Sequence, residues 1–189
     1  MIRISSSKFD YKCPEVVYII GSGPSLSATH QKIPDDAYRV YLNGAVNIKD
    51  SKPDIWFCHC QTVPKNKWWK DTYKKYQKIS MLGNFITDMG YISKYYFDFY
   101  NDLPKYKVIV GTTVAGIAMQ LFPFFGAKKI IIAGVDMQGK HRFDGSYNPE
   151  NNESKERDQI NRINYFIENN SCAYKSLGPT RFKIPEVEK

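Results

Sequence analysis

Five short segments carry residue types able to handle an anionic, hydroxyl-bearing molecule. Gly21-Ser22-Gly23-Pro24-Ser25 pairs two glycines, which permit close backbone approach, with two hydroxyls ahead of a helix start. Asn43-Gly44 offers a side chain that both donates and accepts, suited to a base or a ribose. His59, with Gln61 beyond it, places an imidazole at a strand end. Gly111-Thr112-Thr113 supplies hydroxyls and N–H groups where a helix could begin, a setting that favours phosphate. Gly134-Val135-Asp136-Met137-Gln138 ends in a carboxylate and an amide, and His141, Arg142 and Asp144 follow close behind. Each has a plain structural alternative: a tight turn, a left-handed turn residue, a satisfied histidine, a helix N-cap, or a carboxylate bound to a neighbouring N–H.

The segments share a context, because each follows an apolar run. Residues 15–20, 39–42, 53–58, 107–110 and 129–133 read as strands without alternation, the pattern of parallel strands covered on both faces. A short strand is expected at 173–176, and helices at 114–125 and 154–169. Strand–loop–helix alternation predicts an α/β, Rossmann-like open and mostly parallel sheet with helices on both faces, as a single domain over residues 1–189. In such sheets ligands bind beyond the carboxyl ends of the strands, where these five segments lie. Residues 68–106 are dense in Lys and aromatics and read as a basic, aromatic helical insertion. Residues 138–152 have no periodicity and read as a mobile lid loop.

Composition narrows the class. The chain has 189 residues, 42% hydrophobic and 24% charged, with a net charge of +8. That is the make-up of one folded domain with a preference for anionic partners. The four cysteines do not form a disulfide framework. In Cys58-His59-Cys60 a strand would turn His59 away from both thiols, so no metal site is expected. Residues 1–5 lack a signal-peptide core, no run approaches the ~18 apolar residues of a membrane span, and a cytoplasmic location is expected.

Taken in order, three motifs resemble the bacterial sialyltransferases of glycosyltransferase family 42. They are Ile20-Gly21-Ser22-Gly23-Pro24-Ser25-Leu26, Leu42-Asn43-Gly44, and the second half from Gly111-Thr112-Thr113-Val114 to Ile131-Ile132-Ala133-Gly134-Val135-Asp136-Met137. The resemblance implies a CMP-sugar donor, metal-independent transfer, and Asn43 at the cytidine nucleotide. It places Ser22 and His59 where the family has Asn. Gln138 and His141 stand at the positions of two tyrosines that assist the leaving phosphate, and Glu153 stands where the family's general base is a His. A wider likeness, to the 6-hydroxymethylpterin diphosphokinase-like family, implies ATP with magnesium instead.

The function expected is therefore a nucleotide-sugar-dependent glycosyltransferase. Gly21, Ser22, Gly23, Ser25, Asn43, Thr112, Thr113, Asp136 and Gln138 would bind the nucleotide. His141, Arg142, His59 and Glu153 would serve the chemistry. No cofactor is required beyond the donor, whereas the diphosphokinase alternative needs magnesium, with Asp136 and Asp144 as its ligands. A non-catalytic nucleotide- or nucleic-acid-binding module is the third reading. A glycan acceptor, an anionic membrane surface and a homo-oligomer stay open as partners. Nucleic acid is disfavoured because the positive charge is spread along the chain.

Overall fold

The computed structural model describes residues 11–59, 62–83, 89, 91–97, 113–137, 142–146 and 153–187. In chain order the elements are β1 (Val16–Ile20), α1 (Leu26–Thr29), β2 (Arg39–Leu42), β3 (Ile55–Cys58), α2 (Trp69–Tyr76), β4 (Ser80–Gly83), β5 (Tyr95–Phe97), α3 (Val114–Phe124), β6 (Lys129–Ala133), α4 (Glu153–Glu168) and β7 (Ala173–Ser176). A 3₁₀ turn, Asn43–Asn47, follows β2 directly. Among the described residues the strands form one seven-stranded sheet in the order β5-β4-β3-β2-β1-β6-β7. Every neighbouring pair is parallel.

The continuous apolar runs follow from two-sided burial. Side chains alternate across a strand, so each run feeds two cores. Ile19, Val40, Phe57, Met81, Ile130 and Ile132 enter one, with Ile117, Leu121 and Phe122 of α3 and Ile160 and Ile163 of α4. Ile20, Tyr41, Trp56, Cys58, Leu82 and Ile131 enter the other, with Leu26, Val46, Trp69 and Tyr76. Helices cover both faces of an open, all-parallel sheet, so the fold is α/β and Rossmann-like.

Helix α3 shows how local sequence sets a boundary. Thr113 caps its start by accepting the Gly116 N–H at 3.1 Å. At its end Gly126, at φ +111°, lets Ala127 N–H reach back to Phe122 O and Gly126 N–H to Pro123 O. That pair of reversed bonds satisfies the last carbonyls and stops the helix.

Two strands lie where the sequence suggests only helices. Within residues 68–106, α2 is followed by β4 and β5, which complete one edge of the sheet. Four residues bounded by Ser80 and Gly83 carry little strand propensity of their own. β4 forms because Met81 and Leu82 are buried on opposite faces beside β3. The strand expected at 107–110 lies outside the described residues, as do Thr112, Gln138, His141 and 147–152. Among the described residues, no helix is long and apolar enough to cross a membrane.

Candidate functional site

β1 sits between β2 and β6, and the chain reverses its direction across the sheet there. From β1 it steps outward to β5, then returns through α3 to lay β6 on the opposite side of β1. In sheets of this kind the ligand crevice is expected beyond the carboxyl ends of the strands at such a reversal.

The loop after β1 is fastened to the tip of β6. Gly21 N–H donates to Ala133 O at 2.8 Å and Gly23 N–H to Gly134 O at 2.7 Å. A Cβ on Gly23 would lie 2.2 Å from Asp136 Oδ2, and one on Gly21 would lie 2.5 Å from Gly134 O. These glycines thus admit a neighbouring strand. The Asp136 carboxylate, only 2% exposed, accepts the Ser25 N–H at 2.9 Å and, on its other oxygen, the Ser25 hydroxyl. Gly21, Gly23, Ser25 and Asp136, expected at the nucleotide, are thus bonded to or packed against one another or the β6 tip. The anion held by the Ser25 N–H at the start of α1 belongs to the protein itself.

The tip of β2 is built differently. Asn43 adopts φ +47°, a left-handed conformation that Asn tolerates better than most residues. Its main-chain oxygen accepts the Trp56 indole N–H at 2.8 Å. Its side-chain Oδ1 is buried and has no hydrogen-bond partner among the described residues. An unsatisfied buried carbonyl costs free energy of about 1–3 kcal/mol, which a bound donor would recover.

Thr113 presents the N-terminus of α3, and its hydroxyl also contacts Met137 Sδ at 4.0 Å. Met137 has φ +53°, a strained setting for a long side chain. The C-terminal segment holds this tip in place. Thr180 Oγ1 donates to Val135 O at 2.8 Å and Arg181 N–H to Asp136 O at 3.2 Å.

Part of the expected lid is anchored over β1. Phe143 N–H donates to Ser22 O at 3.1 Å, and its ring packs on the cluster containing Ile20 and Leu26. That bond sets the half-buried Arg142 at the rim of the β1 tip. Asp144 turns back on its own loop, accepting from the Ser146 N–H at 2.9 Å and hydroxyl at 2.6 Å.

His59, at the end of β3, is 8% exposed, and burial pushes its pKa down to about 4. It is a neutral imidazole at physiological pH and supplies no positive charge. Glu153 opens α4, but its side chain lies outside the described residues. Among the described residues, no group of three or more His, Cys, Asp or Glu side chains comes together.

The described contacts join Ser22 to Phe143 beside Arg142, Ser25 to Asp136, and Thr113 to Met137 at the tips of β1 and β6, while Asn43 lies at the tip of the adjoining β2 against Trp56. Three contributors escape a reading of sequence alone: Trp56, Phe143 and the 180–181 segment. Of these only Phe143, beside Arg142 in an otherwise polar loop, carries a local signal.

An open parallel sheet with a strand-order reversal at β1 defines a Rossmann-like α/β protein. No family model matches the chain, and no curated protein matches it in sequence. Solved structures do. The sialyltransferase CstII from Campylobacter jejuni, in complex with the substrate analogue CMP-3FNeuAc, superposes with a TM-score of 0.52 at 14% identity, over 87% of this chain and 81% of that one. The monofunctional alpha-2,3-sialyltransferase Cst-I from the same organism gives a TM-score of 0.55 at 13% identity, over 86% and 75%. CstII with cytidine-5'-monophosphate gives 0.52 at 14% identity. At these identities the likeness establishes a shared fold.

Proposed function

We propose that the chain is a metal-independent glycosyltransferase that uses a nucleotide-sugar donor, with a CMP-sugar as the donor its site suits best. The observation that carries this reading is the buried Asn43 Oδ1 at the β2 tip, which has no hydrogen-bond partner among the described residues. It is an acceptor awaiting a donor such as the exocyclic amine of cytosine or a ribose hydroxyl. The neighbouring folds are enzymes crystallised with CMP and a CMP-sugar analogue, which supports the same ligand class here.

In the reaction the bond between the anomeric carbon and the phosphate oxygen breaks, and an acceptor hydroxyl oxygen bonds to that carbon. The leaving phosphate gains charge, which the N-terminus of α3 at Thr113 and the Arg142 guanidinium would meet, with His141 and Gln138 nearby in sequence. The acceptor's proton passes to a base. His59 is available in its neutral form but, with a pKa of about 4, is no more basic than a carboxylate. Glu153 at the start of α4 is the second candidate.

Against the diphosphokinase reading, both expected magnesium ligands are engaged elsewhere: Asp136 by Ser25 and Asp144 by Ser146. The test is turnover. CMP-sugar with an acceptor and EDTA should release CMP at a rate proportional to enzyme. ATP consumption that requires magnesium would replace this reading with the diphosphokinase. CMP binding without turnover of any sugar nucleotide would leave a binding module.

A further inference from the structure

The three tryptophans of the chain converge behind the β2 tip. Trp56 in β3 is fully buried, and its ring packs on Trp69 with centroids 5.0 Å apart. Trp69 meets Trp68 at 6.3 Å. Trp68 covers Gly44, where a Cβ would lie 3.1 Å from Trp68 Cζ2, so any larger residue would push the indole or the tip aside.

The hydrogen bond from Trp56 goes to a particular place. Its indole N–H, at 2.8 Å from Asn43 O, binds the residue that combines a left-handed backbone with an unpartnered buried amide oxygen. Packing alone does not demand that bond. Trp69, equally buried in the same cluster, leaves its Nε1 without a partner among the described residues. A mid-chain carbonyl fixed by a rigid donor limits rotation about the flanking dihedrals, and so fixes where the Asn43 side chain points.

We infer that Trp56 is a positioning residue for ligand binding: its indole N–H holds Asn43 in the left-handed conformation that fixes the position of Oδ1, and Trp68 closes over Gly44 to complete the clamp. This rests on the nucleotide reading of the site. Trp56 does not touch the ligand and acts only through Asn43.

A double-mutant cycle tests it, with CMP affinity measured by calorimetry on the folded full chain. Asn43→Ala alone should weaken CMP. Trp56→Phe keeps a ring in the core and deletes the donor, and should weaken CMP about three- to tenfold. The double variant should bind no more weakly than Asn43→Ala, because the first change has removed what Trp56 positions. A residue with only a core role would lower the unfolding midpoint and leave the affinity of the folded fraction unchanged.

Wild-type affinity in Trp56→Phe, or losses that multiply in the double variant, would overturn the inference while leaving the nucleotide reading intact. If Trp56→Phe does not fold, Gly44→Ala takes its place in the cycle. It crowds Trp68 at the tip and should show the same loss and the same non-additivity, and wild-type affinity there overturns the inference. A wild-type chain that binds none of CMP, UDP and ATP overturns both readings together.

Discussion

Ser25 and Asp136 are 111 residues apart in sequence, yet the backbone N–H and hydroxyl of the one are both spent on the carboxylate of the other. The bond joins the loop after β1 to the loop after β6 across the point where the strand order reverses. It ties the two loops together, with the Ser25 N–H and hydroxyl both occupied by the Asp136 carboxylate.

Asp136→Asn should therefore act on stability before it acts on binding. A hydrogen bond to a buried charged acceptor contributes about 1.5–3 kcal/mol, so urea unfolding should show a loss near 2 kcal/mol. Ser25→Ala should cost a similar amount, and the double variant less than the sum. Unchanged unfolding midpoints would show that the tie is not energetically significant.

The glycines of the two loops should separate by what surrounds them. Gly23→Ala drives a methyl into Asp136 Oδ2 and Gly134 O, 2.2 and 2.8 Å away, and should cost about 3 kcal/mol. Gly145→Ala, at φ +78° with open space around its Cβ position, should cost only the backbone penalty of about 1 kcal/mol. Equal losses in urea would argue against close packing between the β1 and β6 tips.

His59 gives a pH dependence with a definite sign. The folded chain keeps it neutral down to about pH 4, whereas the unfolded chain protonates it near 6.5. Within that window the unfolded state binds more protons, so stability falls as pH drops from about 6.5 and levels off near 4. Between pH 7 and 5 the contribution is about 2 kcal/mol. His30, also lowered by burial first and by the Arg39 charge second, acts in the same direction. The His59→Gln variant isolates the term, since its unfolding free energy should fall less than that of wild type over this range. Parallel profiles would show that His59 is not held neutral.

Arg142 should matter to ligand and not to fold. Arg142→Ala should leave urea unfolding within about 0.5 kcal/mol. It should weaken CMP roughly tenfold at low salt, with the gap narrowing as salt screens the phosphate contact. A loss of stability without a loss of affinity would place its role in the loop instead of the site.

Much of the fold was legible because parallel strands buried on both faces leave long apolar runs. Residues 129–133 mark β6 most clearly, 173–176 suggest the short β7, and 15–20, 39–42 and 53–58 bracket β1, β2 and β3. β4 and β5 were not, because four and three residues amid lysines and tyrosines acquire their strand character from the neighbour they pair with. The site divides the same way. Asn43 and Thr113 could be picked out as strand-tip and helix-start residues. The engagement of Asp136 by Ser25, and of Asn43 by Trp56, depends on contacts between distant segments that no local pattern encodes. For the glycines, closeness of approach can be read from sequence, but not what approaches.

The central claim is that the crevice beside β1 binds a cytidine nucleotide through Asn43. Calorimetric titration of CMP into the wild-type chain and into Asn43→Ala, both shown to be folded by circular dichroism, tests it most directly. Saturable one-to-one binding in EDTA is expected for the wild type, with at least a tenfold weaker constant for the variant. Equal affinity in the two proteins, or no heat from either, would contradict it.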